Sequence, residues 1–127
     1  MEKTTTTIKQ LKKNGFVIID GAPCRVDRVD VSKSGKHGAA KARVEAVGLL
    51  DGRRHNLVKP ADETVDVPII TRHRAQVLSI MGSKVHLMDL SNYSIFELDI
   101  PEGKEIKQAE EIEYFEVCDT KTLKEIK

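Results

Sequence analysis

Ala40-Lys41-Ala42-Arg43-Val44-Glu45-Ala46 alternates small or branched apolar residues with charged ones without a break. Successive side chains of a strand point to opposite faces, so this period of two buries one face and wets the other. No stretch of the chain sustains a period of 3.6, so the strand reading of residues 40–46 sets the class for the rest. Upstream, Cys24 and Val26 share one parity while Val29 and Val31 carry the other, which predicts a strand with a bulge near Asp27-Arg28. Between these two strands stands Ser32-Lys33-Ser34-Gly35-Lys36-His37-Gly38, with no apolar side chain. Gly35 and Gly38 can take positive φ, and Ser32 and Ser34 can hydrogen-bond their own backbone. The segment therefore reads as an exposed, hairpin-like loop with Lys36 at its tip.

Working outward, residues 4–7 are β-prone and polar and predict an arm or edge strand. Residues 8–11 can make one helical turn, ended by Asn14-Gly15. Phe16–Ile19 predicts a short buried strand closed by Asp20-Gly21. Asp51-Gly52 marks a tight turn, residues 55–58 a strand and residues 59–62 a loop. Residues 65–70 are extended, with Pro68 confining them to an edge or a connector. Further on, residues 74–81 and 84–90 flank a Gly82-Ser83 turn. Residues 93–100 alternate, with Phe96, Leu98 and Ile100 on one face, and Pro101-Glu102-Gly103 breaks the pattern. Glu111–Val117 is another strand, and residues 122–127 a final strand or a frayed turn. Many short strands with frequent turns predict an all-β protein, either small barrels or a sandwich. The Val67-Pro68-Ile69-Ile70 connector favours two small barrels, 1–70 and 71–127.

A charge shift coincides with that connector. Residues 1–70 carry 13 Lys and Arg against 9 Asp and Glu, residues 71–127 carry 8 against 11, and the whole chain of 127 residues is +1. A basic half beside an acidic half fits a face that meets a polyanion. The chain has no Trp, three Phe and two Tyr, so its cores must be aliphatic. Cys24 and Cys118 both lie in apolar, strand-like contexts and read as buried free thiols of a reducing cytosol. The first residues show no signal-peptide h-region, and the longest apolar run, Phe16–Ile19, is far too short to span a bilayer. A cytoplasmic protein without membrane contact is expected.

The sequence argues against an enzyme. Gly35-Lys36 could end a phosphate-binding P-loop, but His37 stands where Ser or Thr must hold Mg²⁺, and Asp30 stands where the first glycine belongs. His37, His55, His73 and His86 are scattered with no metal-ligand spacing, so no metal is expected. No positioned base accompanies Ser32 or Ser34 for nucleophilic catalysis. A basic surface remains: residues 31–44 contain Lys33, Lys36, Lys41 and Arg43 and no Asp or Glu. Such a stretch can neutralise phosphates in a salt-dependent way. From the residues alone, a general RNA-binding β module with an unmodified lysine loop stays open.

The run Ser32-Lys33-Ser34-Gly35-Lys36-His37-Gly38-Ala39-Ala40-Lys41 closely resembles the modification loop of the translation initiation factor 5A family, most specifically at Gly35-Lys36-His37-Gly38. Pro23-Cys24-Arg25-Val26 before the loop and Asp66-Val67-Pro68 at the close of the first domain extend the resemblance over essentially the full length. The short chain looks like an archaeal member, and Ala39 stands where eukaryotic members usually have a second histidine. The resemblance implies an SH3-like N-terminal barrel and a C-terminal OB-fold. It implies that Lys36 becomes hypusine, built by deoxyhypusine synthase from an aminobutyl group of spermidine and then hydroxylated, with no other cofactor. Ser34, Gly35, His37 and Gly38 would set the loop's geometry and its recognition by that enzyme. Lys33, Lys41 and Arg43 would join Lys36 in touching RNA. The expected partners are ribosomal RNA and peptidyl-tRNA, and the expected action is to help peptide-bond formation, at the first bond and at proline-rich stalls. Bacterial elongation factor P is the family's relative. A monomer is expected.

Overall fold

The computed structural model describes residues 3–33 and 40–126. Among them every regular element is a β-strand apart from one 3₁₀ turn at Ile8–Gln10, and no helix is long and apolar enough to cross a membrane. The residues divide into two compact units, one through Ile69 and one of Ile70–Ile126.

The first unit contains β1 (Lys3–Thr7), β2 (Phe16–Ile19), β3 (Ala22–Lys33), β4 (Ala40–Gly48), β5 (Arg54–Pro60) and β6 (Thr64–Pro68). Strands β2-β3-β4-β5 form one antiparallel sheet in that order, curled into a half-barrel, and β1 pairs with β6. Asp20 (φ 50°) and Gly21 (φ 81°) are both left-handed, the geometry of a two-residue hairpin turn between β2 and β3. The core collects Ile8, Val17, Ile19, Cys24, Val26, Ala42, Val44 and Ala46. Ala42 and Ala46 flank Val44 on the concave face, the small-and-large alternation that fills a tight curl. The bulge expected near Asp27-Arg28 is there: the β3–β4 register shifts between Val26 and Arg28. The threonine tract pairs with the Pro68 strand, Thr4 opposite Val67 and Thr6 opposite Val65. One expectation is corrected. Lys59 and Pro60 belong to β5 rather than to a loop, because β5 is the sheet's edge and an edge strand tolerates proline.

The second unit contains β7 (Ile70–Met81), β8 (Lys84–Asp89), β9 (Ile95–Asp99), β10 (Glu111–Val117) and β11 (Thr120–Thr122), in sheet order β11-β10-β7-β8-β9. The sheet nearly closes into a barrel, with β9 and β11 approaching each other. Ala75, Val77, Val85, Leu87, Ile112 and Tyr114 fill it, with Phe96, Leu98 and Ile100 packed against them. Three expectations are corrected here. The last strand is Thr120–Thr122, ahead of residues 122–127. It follows a tight turn whose two residues, Cys118 (φ 49°) and Asp119 (φ 63°), are left-handed without being glycine. Cys118 is therefore a half-buried turn residue, not a buried strand residue, and it forms no disulfide. Likewise Tyr93 (φ 60°) lies in a turn before β9, exposed, rather than in the strand.

That turn is held by Asp89, the buried charged residue of the described chain. Its Oδ1 accepts from the Ser91 hydroxyl at 2.6 Å, the Ser91 N–H at 2.7 Å and the Asn92 N–H at 3.2 Å. Its Oδ2 accepts from the Tyr114 hydroxyl across the barrel. The Ser91 and Tyr114 hydroxyls outweigh burial and hold the carboxyl well below its ordinary 3.8, while burial and the Asp89 charge push the Tyr114 phenol up. A carboxyl with a depressed folded pKa stabilises the fold above its unfolded value, and that contribution is lost as pH falls through the acid range. Asp89→Asn should therefore cost about 2–3 kcal/mol at pH 7, with the deficit against the parent shrinking below about pH 4. Tyr114→Phe should cost about 1–2 kcal/mol. Urea unfolding at pH 7 and pH 3 checks both; an Asp89→Asn deficit equal at the two pH values would refute the assignment.

Candidate nucleic-acid interface

Strands β3 and β4 run as one long ladder from Cys24 opposite Gly48 to Lys33 opposite Ala40. Val29 is the last β3 side chain packed against the core, and Asp30 through Lys33 are exposed. At about 3.3 Å per residue, four strand residues carry Lys33 about 13 Å beyond Val29. Ser34, Gly35, Lys36, His37, Gly38 and Ala39 lie outside the described residues. What is described is the stem on which that segment is mounted.

The stem has two faces, and cross-strand partners share one. Lys41 lies opposite Ser32 and Pro60, Arg43 opposite Asp30 and Val58, and Glu45 opposite Arg28 and Asn56. Lys33 lies opposite Ala40, on the face that carries Ala42, Val44 and, from β3, Val29. So Lys41 and Arg43 come together, and Lys33 sits on the other face of the hairpin, at its end. Around Lys41 and Arg43 runs a shallow groove lined also by Asp30, Ser32 and Val58. Asp30 and Val58 were not legible as site residues, because only the register brings them beside Arg43. Residues 31–44 hold no acid in sequence, yet folding sets Asp30 and Glu45 on the Lys41–Arg43 face. Asp30 is already engaged by Arg28 at 2.8 Å. Among the described residues no ion pair engages Lys33, Lys41 or Arg43. The face is balanced near the core and basic toward the loop end.

The remaining chemistry-bearing side chains are accounted for by local contacts. His55 meets Asp51 at 2.9 Å, His73 meets Thr71 at 2.8 Å, and His86 meets Glu97 at 3.0 Å. Among the described residues no three His, Cys, Asp or Glu side chains converge to hold a metal. Cys24 is fully buried, and burial with the nearby Asp51 charge pushes its thiol up to about 11, so it is neither thiolate nor nucleophile at neutral pH.

Residues 2–63 match the family described as translation initiation factor 5A-like, N-terminal. Translation initiation factor 5A of Methanocella arvoryzae is 52% identical over 115 residues, covering 88% of this chain and 89% of that protein. The protein of the same name from Methanothermobacter thermautotrophicus is 44% identical over 97% of this chain and 96% of its own length. Among solved structures, the eukaryotic translation initiation factor 5A from Methanococcus jannaschii superposes with a TM-score of 0.85 at 40% identity, over 94% of this chain and 92% of that one.

The stem geometry makes a direct electrostatic prediction. On a heparin column, Lys41→Ala and Arg43→Ala should each elute at lower salt than the parent, and Asp30→Asn at higher salt. Each cation that contacts the polyanion should, when removed, flatten the slope of log affinity against log salt by about 0.7–0.9. Unchanged elution of Asp30→Asn would show that this carboxylate does not temper the basic face.

Proposed function

The chain belongs to the translation initiation factor 5A family, and from that premise we propose that it binds the ribosome beside peptidyl-tRNA and promotes peptide-bond formation through a hypusine side chain on Lys36. The chain is a translation factor; ribosome contact, the modification and the action on peptide bonds are the proposal. The observation that carries it is Gly35-Lys36-His37-Gly38, joined at both ends to a paired β stem in a chain of this family. Unmodified lysine is a compact charge on a flexible stem. An added aminobutyl arm lengthens the reach and supplies a second amine, so that a side chain can enter the peptidyl-transferase centre where a domain cannot. There it would orient the tRNA acceptor end, lowering the barrier by holding a reactant in place while the ribosome performs the chemistry.

In this reading deoxyhypusine synthase builds the arm from spermidine, and Ser34, Gly35, His37 and Gly38 present the lysine to it. Lys41 and Arg43 on one face of the stem, and Lys33 at its end, contact RNA phosphates and position the factor without reading sequence. The protein acts in the cytoplasm, as a monomer, and is not itself the catalyst.

Peptide mass spectrometry of protein from its native cells should find the aminobutyl-derived adduct on Lys36 and on neither Lys33 nor Lys41. In a reconstituted translation assay, Lys36→Arg keeps the positive charge but cannot take the arm. It should retain ribosome binding within a few-fold and lose most of the stimulation at consecutive prolines, because orientation is felt in the transition state rather than in docking. Full stimulation by Lys36→Arg at saturation would sink the proposal.

A further inference from the structure

The second unit is acidic, yet its only two arginines, Arg72 and Arg74, lie two residues apart in one strand. Strand β8 pairs with β7 only from Asp89 opposite Ala75, so among the described residues the start of β7 has β10 on one side and no strand on the other. Where β8 ends, a groove opens that is lined by Arg72, His73, Arg74, Asp89, Leu90 and Ser91. The Leu90 N–H donates to the Arg74 carbonyl at 3.0 Å. Backbone groups of alternate residues in an antiparallel strand face the same side. Arg72 therefore presents its N–H and C=O along this open edge. Its guanidinium sits 5.6 Å above the ring of Phe115, its cross-strand partner, which fixes the charge in place.

Among the described residues neither arginine is in an ion pair, although Glu113 lies directly across from Arg74. The outer faces of β8 and β9, the usual oligonucleotide-binding strands of such a barrel, are different. Lys84 is bound to Asp99 at 2.8 Å and to Glu97 at 3.7 Å, and His86 to Glu97 at 3.0 Å. Lys84 there is neutralised by its neighbours, whereas among the described residues no ion pair engages the arginines of the groove. The Asp89 carboxylate at the groove's floor is covered by its own donors, including both Ser91 groups.

We propose that Arg72 and Arg74 form a phosphate-contact site for the RNA backbone, so that the acidic second unit docks through this groove rather than through the outer faces of β8 and β9. The inference rests on the ribosome-binding reading above and adds to it where the second unit holds RNA. Two bound phosphates release counterions, so their loss is read as a change in salt dependence.

The test uses full-length protein from native cells and ribosomes carrying peptidyl-tRNA, with affinity measured over a series of KCl concentrations. Arg72→Gln/Arg74→Gln should flatten the slope of log affinity against log salt by about 1.4–1.8. Arg72→Lys/Arg74→Lys should keep the slope, and thermal unfolding of both variants controls for folding. A photocrosslinker placed at Leu90 should label RNA. An unchanged slope in the Gln variant overturns the proposal, as does labelling of ribosomal protein alone. Equal flattening in the Lys and Gln variants also overturns it, since charge would then not be the cause. These outcomes, with a parent that binds and stimulates, leave the Lys36 reading standing; a parent that does not bind ribosomes brings down both.

Discussion

The pairing of β3 with β4 is the constraint on which the first unit depends. Side chains alternate along a strand, so a slip of one residue would exchange its two faces completely. Cys24 and Val26 face the core at the base of β3, and straight continuation would send Arg28, Asp30 and Ser32 after them. The bulge between Val26 and Arg28 absorbs one residue and reverses the phase. Val29 then turns inward, opposite Val44, and the three polar residues turn out, opposite Glu45, Arg43 and Lys41. One extra residue thus decides both what the half-barrel buries and which side chains share the basic face.

The second unit solves a different problem. Its barrel is small and poor in aromatics, and it accepts a carboxylate into the interior. Asp89 ends β8, gathers the backbone of the following turn and ties it to Tyr114 on β10. Tyr114 is in turn packed between His73 and Phe96, at ring distances of 5.1 and 4.9 Å. A buried charge is costly unless its acceptor capacity is filled, and here four donors fill it. The same residue stops β8 short of the start of β7, which leaves the edge beside Arg72 open.

Legibility followed how local the physics was. Residues 40–46 and the parity change in β3 could be read because alternation is a property of neighbours in sequence. The bulge in β7, between Val77 and Ser79, was hidden because Val77 on one parity and Leu78 and Ile80 on the other are all apolar. The Cys118-Asp119 turn was missed because neither residue advertises positive φ as glycine does. Pro60 misled in the same way: proline suggests a break, and only the edge position of β5 makes it compatible with a strand. At the basic face, Lys41 and Arg43 were legible as a pair, two apart in one strand. That Lys33 lies on the opposite face, and that Asp30 and Val58 flank Arg43, depends on register across strands, which no linear pattern contains. Asp89 carried a usable signal, Asp-Leu-Ser-Asn after an apolar strand, where the carboxylate can cap the turn that follows.

The way the segment around Lys36 is carried bears on how such a factor can work. A group that acts by orientation must be held to within a fraction of an ångström, and regular elements do that better than free loops. Here both ends of the segment join a ladder of backbone hydrogen bonds continuous with the core. Exposed ion pairs are individually weak and screened by salt, so the charges on the stem cannot supply that precision. In the proposed reading they supply attraction and approximate placement. The backbone ladder supplies position, and because its register is fixed by buried residues such as Val44 and Val26, changes far down the stem in the core would be felt at the loop end.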